Sequence, residues 1–237
     1  MTDQRGLPNR LWVFDHGPDA LWRDEYGQTH STVALPGEWS LFWAEPNTGQ
    51  GVFVLPECKR VNLGLPQNLG WVWKAFSTYS THRYALGVRV AVPIGARLIM
   101  GAGVWTWSST QDSPMESIDG SYRTRIGIDP FGGINPNSED VEWSHPAPGL
   151  KAMDSLVDHT VEDEAQAGKV TLWLWGDSEW RVKHNDAYWT DVSLWIEGGQ
   201  EPPPAGDLEA RLARLEAIEA ERETVSAFGL QFVTKRN

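Results

Sequence analysis

The sequence predicts an all-β domain, a sandwich or barrel, followed by a short C-terminal helix. Three observations lead there. Several short runs alternate apolar and polar residues with period two, Gly and Pro clusters punctuate them, and the apolar spacing changes to a helical one near the C-terminus. The chain has 237 residues, enough for one large β domain with an appendage. Its 23 Gly and 15 Pro suit many turns between short strands.

From Leu11 to Ile196 the text reads as strands and turns. In Tyr84–Val92, Leu86, Val88, Val90 and Val92 share a face. In Ser121–Asp129, Tyr122, Thr124, Ile126 and Ile128 oppose Arg123, Arg125 and Asp129. In Lys169–Trp175, Val170, Leu172 and Leu174 oppose Thr171, Trp173 and Trp175. In Tyr188–Trp195, Tyr188, Val192 and Leu194 are expected opposite Trp189, Asp191 and Trp195. Pro93-Ile94-Gly95, Asp119-Gly120 and Asp129-Pro130-Phe131-Gly132-Gly133 supply turns. Glu45–Gln67 and Gly132–Ala152 read as long loops, and loops of that length are often functional.

The β domain is expected over residues 1–197. A Gly/Pro-rich linker follows over 198–206, an amphipathic helix over 207–228 and a tail over 229–237. Asp207 suits the helix N-cap and Gly229 the stop. Leu208, Leu212, Leu215, Ile218 and Val225 form one apolar stripe. A lone helix of this length is marginal in water, so the stripe needs a partner. That partner is either the same helix in other subunits, giving a short coiled coil with a trimer favoured, or the β domain itself. Glu219 and Arg222 interrupt a strict heptad. The alternating Phe228–Val233 segment is suited to adding a strand to a partner.

The formal net charge of −12 argues against nucleic acid, which requires a basic face that releases counterions. The single cysteine, Cys58, excludes an intramolecular disulfide and thiolate clusters. Met1–Arg10 is polar and lacks the apolar core of a signal peptide, and no run approaches a membrane span. The expectation is a protein of a virion or an extracellular surface that arrives without a cleaved leader, as a phage protein released by lysis would.

Further residues carry a resemblance. Trp107-Ser108-Ser109, Gly120–Gly133, Glu142-Trp143-Ser144 and Glu179–Leu194, with Pro36-Gly37-Glu38-Trp39 and Pro56-Glu57 upstream, form one pattern. It resembles jelly-roll, galactose-binding-like modules, similar to carbohydrate-binding modules, attached to secreted bacterial proteins, notably in Chloroflexi. The resemblance spans roughly residues 10–196 and implies a jelly-roll β-sandwich with a glycan-binding habit. It also implies a structural Ca2+ between an acidic residue near the last strand, here Asp191, and one in the first strand, here Asp15. Oxygen-rich acidic loops suit this hard ion, whereas an ordinary surface carboxylate is the alternative.

Fourteen Trp are the most unusual feature of the composition. Sugar rings stack their C–H faces on indoles, and guanidiniums bind hydroxyls. Trp105 and Trp107 share one strand face, as do Trp173 and Trp175, and as do Arg123 and Arg125. If these faces coincide, they form a shallow glycan groove of four indoles and two guanidiniums. The alternative places these Trp in the core, with Arg stacked on their rims. Trp39, Trp43, Trp71, Trp73 and Trp180 fall near expected turns and offer a second site at loop tips.

The six His show no metal-ligand spacing, and no nucleophile elbow, zinc-protease or phosphate-loop motif occurs. Asp112, Glu116 and Asp119, and Glu139, Asp140 and Glu142, read as solvated loop charges rather than a glycosidase pair. The expected function is non-catalytic: a carbohydrate-binding module made multivalent by its helix, as in an adhesin or phage fibre. The competing expectation is a structural capsid or tail decoration protein that binds no glycan.

Overall fold

The computed structural model describes residues 10–12, 19–24, 26–37, 39–45, 54–62, 71–112, 117, 120–146 and 156–200. These residues form a β-sandwich of two sheets and contain no helix. They belong to the first of two compact units, residues 1–200. The expected helix and tail fall in the second, residues 201–237, and lie outside the described residues; Asp15, in the first unit, lies outside them too.

The larger sheet has eight strands. Seven lie in the order β11 (Val157–Glu164), β8 (Ile94–Ser109), β13 (His184–Gln200), β6 (Trp71–Ser77), β5 (Glu57–Asn62), β3 (Thr29–Leu35) and β2 (Ala20–Arg23), and β1 (Arg10–Trp12) also pairs with β13. The smaller sheet has five: β10 (Glu142–Trp143), β9 (Tyr122–Asp129), β12 (Lys169–Ser178), β7 (Arg83–Ala91) and β4 (Leu41–Ala44). Pairing is antiparallel except between β3 and β5, which run parallel where Val33 meets Cys58.

Alternation decides which side chains enter the core. Leu86 and Val88 of β7, Leu172 and Leu174 of β12 and Ile126 and Ile128 of β9 are buried against Leu98, Met100 and Val104 of β8 and Trp189, Val192 and Leu194 of β13. Each such side chain contributes roughly 1.5–3 kcal/mol on burial. Several polar side chains buried between the sheets are paired with one another. His82 shares hydrogen bonds with Ser77 Oγ at 2.9 Å and Tyr122 OH at 2.6 Å, and burial pushes its pKa down to about 3. His159 meets Thr124 Oγ1 at 3.0 Å and Ser144 Oγ at 3.3 Å, and burial lowers it to about 4. Trp189 Nε1 donates to Tyr84 OH at 2.7 Å.

The structure corrects three expectations. Both stretches expected as loops carry a strand: β5 lies within Glu45–Gln67 and β10 within Gly132–Ala152. β13 continues through Gly198 and Gly199 to Gln200, opposite Ile94, so the strand enters the stretch read as linker. The third correction concerns phase. Trp189, not Tyr188, shares the inner face with Val192 and Leu194. The pairing of β13 with β8 shifts between Thr190 and Ser193, and Asp191 has a positive φ of 49°. An extra residue at a bulge reverses the alternation beyond it. No helix among the described residues is long and apolar enough to cross a membrane.

Candidate functional site: the outer face of the smaller sheet

The residues opposite the core on β4, β7, β12, β9 and β10 form rows across the smaller sheet, and three successive rows hold its tryptophans and a cluster of charges. The first row is Leu41, Gly87, Trp173, Gly127 and Trp143. The second is Trp43, Ala85, Trp175 and Arg125. The third is Arg83, Asp177 and Arg123, with Glu45 following β4 and bonded through its backbone to Arg83.

Glycine makes the first row possible. A Cβ at Gly87 would lie 2.6 Å from the Trp173 ring, and one at Gly127 would lie 2.6 Å from the Trp143 ring. The missing side chains let both indoles lie close over the sheet. Val141 and Ala85 help close over Trp173, which is 0% exposed. The loop carrying Val141 is pinned from below: Gly132 adopts a φ of 69°, Asp129 Oδ1 accepts from the Phe131 N–H at 2.9 Å, and Thr171 Oγ1 donates to the Gly133 carbonyl at 2.6 Å.

The second row holds a guanidinium between two indoles. The Arg125 centre lies 4.1 Å from the Trp143 ring centroid and 4.4 Å from that of Trp175. Such stacking is worth about 0.5–2 kcal/mol per contact. Arg83 approaches the same Trp175 ring at 5.7 Å. Trp43, Trp143 and Trp175 are all half-buried, so each retains accessible surface.

The third row is an ion network around a buried carboxylate. Asp177 accepts from Arg83 Nε at 3.3 Å and Nη2 at 3.4 Å, and from Arg123 Nη2. Arg83 Nη1 also donates to Glu45 Oε1 at 3.0 Å. Burial works against the charge on Arg83, but the hydrogen bonds it donates to Asp177 and Glu45 outweigh this and raise its pKa. Arg125 moves the other way: burial first, then the charges of Arg83 and Arg123, lower its pKa against the opposing pull of Asp177. Arg123 Nε, Arg125 Nε and Trp173 Nε1 are buried donors without a hydrogen-bond partner.

The expected groove of four indoles does not assemble. Trp173, Trp175, Arg123 and Arg125 do share this face, with Trp173 covered. Trp105 and Trp107 lie on β8, in the other sheet, at 3% and 8% exposure, in an outer cluster with Val72 and Tyr188. His184 stacks on Trp107 at 3.7 Å, and buried Asp186 accepts from Tyr188 OH at 2.8 Å and pairs with Lys74 at 2.9 Å. Period two tells which residues of a strand share a face, but not which strands share a sheet.

The aromatics expected at loop tips divide as well. Trp39 is buried, Trp73 is buried on β6 with Nε1 donating to the Ala34 carbonyl at 2.8 Å, and Trp71 lies on the same strand. Trp43 joins the outer face, and Trp180 is exposed between β12 and β13. Sequence reasoning missed Trp143, Arg83, Asp177 and Glu45 as members of the site. The alternation in Tyr84–Val92 places Arg83 opposite Leu86, so that signal was present; Trp143 was hidden in a presumed loop.

Asp191 is half-buried at the bulge of β13, and β1 ends at Trp12 opposite Ser193, two residues away. Among the described residues, no group of three or more His, Cys, Asp or Glu gathers to hold a metal.

No family model matches this chain, and no curated protein matches it. Solved structures do. TmCBM61, in complex with β-1,4-galactotriose, aligns with a TM-score of 0.44 and 11% identity over 68% of this chain and 92% of its own. The CBM22-1 xylan-binding domain from Paenibacillus barcinonensis aligns with a TM-score of 0.41 and 6% identity over 68% and 88%. The enzymatically active domain of bacteriophage CBA120 tailspike protein 4 aligns with a TM-score of 0.42 and 8% identity over 67% of this chain but only 19% of its own.

Proposed function

We propose that this chain is a non-catalytic, jelly-roll-type carbohydrate-binding module whose ligand lies on the outer face of the smaller sheet. One observation carries the reading: half-exposed Trp43, Trp143 and Trp175 stand in register beside Arg83, Arg123 and Arg125. Indoles accept the apolar faces of sugar rings, and guanidiniums donate to ring substituents.

Trp175 is the central platform and Trp173 its support. Affinity electrophoresis on a panel of polysaccharides tests this. Trp175→Ala is expected to lower retention about tenfold or more, as for a central aromatic contact, with the fold kept. Unchanged retention removes this face as the site. A blank panel with wild-type protein favours the structural capsid or tail role instead.

The wider setting belongs to the same proposal. The helix expected over 207–228 trimerises the module, and several weak sites on one assembly gain avidity at a virion or cell surface. Light scattering checks it against three times the 26.5 kDa chain mass. The Ca2+ expected at Asp191 and Asp15 is structural, and EDTA tests it through melting temperature.

A further inference from the structure

We infer that the ligand of this face is an acidic glycan, whose carboxylate pairs with Arg125. This rests on the carbohydrate-binding reading and adds the class of sugar.

The charges of the face do not cancel. Arg83, Arg123 and Arg125 stand against Asp177 and Glu45. Arg83 and Arg123 take the Asp177 carboxylate between them, and Arg83 also takes Glu45. Of these three guanidiniums Arg125 is the one left over, with no hydrogen bond and no ion pair among the described residues, and exposed Arg89, opposite Thr171 on the same face, adds a further positive charge. The chain as a whole carries −12, so this local excess of positive charge runs against the rest of the molecule.

The guanidinium is also held in place. Trp143 and Trp175 lie over it at 4.1 and 4.4 Å, which fixes the plane of its donor fork. A planar, pre-oriented fork matches the two oxygens of a carboxylate, and the resulting bonds are charge-assisted. Neutral hydroxyls would satisfy the donors but leave the charge uncompensated. Burial and the Arg83 charge already disfavour the Arg125 cation, so an arriving anion relieves what the protein leaves unrelieved. The flanking indoles meanwhile offer their remaining surface to the ring that bears the carboxylate.

The test is a matched pair of polymers. Polygalacturonate, alginate and glucuronoxylan are each compared with their carboxyl-reduced forms, with neutral galactan, xylan and mannan alongside. Full-length protein is used, and retention is read by affinity electrophoresis at low and high salt. The expected result is retention by at least one acidic polymer, falling about tenfold or more on carboxyl reduction and falling again with salt. Arg125→Gln brings the acidic polymer down to its reduced form, and Arg125→Lys, which keeps the charge but loses the fork, restores only part. Melting curves of both variants confirm that the sandwich is intact. Equal retention of acidic and reduced forms overturns the acidic assignment while leaving the carbohydrate reading standing. So does full retention of the acidic polymer by Arg125→Gln. Retention of no polymer overturns both.

Discussion

Acidification from pH 7.5 to 5 should cost this sandwich a predictable part of its stability through one side chain. His82 is wholly buried, has Ser77 and Tyr122 as its partners, and has a pKa pushed from 6.5 to about 3. Its folded pKa lies below its unfolded one, so between these values the unfolded chain binds the extra proton. Stability is therefore full above the unfolded pKa and falls as the pH drops below it. The limiting slope is about 1.4 kcal/mol per pH unit, and the loss by pH 5 is about 2 kcal/mol. By pH 3 it approaches roughly 4–5 kcal/mol, a large share of the 5–15 kcal/mol typical of a domain. His159, lowered to about 4 by burial, acts in the same direction. Both histidines grip the inner side of β9, through Tyr122 and Thr124, while Arg123 and Arg125 project from its outer side. Glycan retention should therefore fall together with the fold. Urea unfolding followed by far-UV circular dichroism at intervals of half a pH unit measures the slope. His82→Gln should be less stable at pH 7.5 but show a slope shallower by about one proton. Identical slopes in the two proteins would refute the reasoning.

Other perturbations separate support from contact. Trp173→Ala should destabilise the fold by about 3–5 kcal/mol, because the ring is fully buried, whereas Trp175→Ala should alter the melting temperature far less than it alters retention. Gly127→Ala should cost about 1–3 kcal/mol and reduce retention, since its Cβ must displace the Trp143 ring that stacks on Arg125; a variant with wild-type melting and binding would contradict the packing described. Asp177→Asn, measured by chemical denaturation, should cost about 3–5 kcal/mol by leaving Arg83 and Arg123 facing each other without a full countercharge.

Much of the sandwich was legible because alternation is a local signal. Leu86 and Val88, Leu172 and Leu174, and Ile126 and Ile128 face inward as their spacing requires. Local signals fail where geometry is set across strands. Nothing in the neighbourhood of Trp105 says that β8 lies in the sheet opposite β12. Likewise, Glu142-Trp143 is too short to alternate, so only its pairing with Gly127 and Ile128 reveals a strand. Parity alone places Arg123 and Arg125 on one face of their strand and Trp175 on one face of its own, and the registers bring those faces together. Parity assigns Trp173 to the outer face without saying what lies over it, and the structure shows it covered. Trp143, Arg83 and Asp177 required the registers of β9, β12 and β7 to bring them together.

The bulge at Asp191 has a consequence for how the chain tolerates change. On one side of β13 the neighbour is β8 throughout; on the other it is β6 along Asn185–Trp189 and β1 along Ser193–Trp195. Asp191 lies at the junction between these two neighbours. Removing it alone would leave Ala187, Trp189, Val192 and Leu194 spaced two apart and facing the interior as they do now. It is thus a spare letter in an otherwise continuous word: a deletion there keeps the hydrophobic message and loses only the bend that hands the strand from one neighbour to the next. A deletion at Tyr188, by contrast, would shift the pairing on one side of the gap and turn a buried face outward.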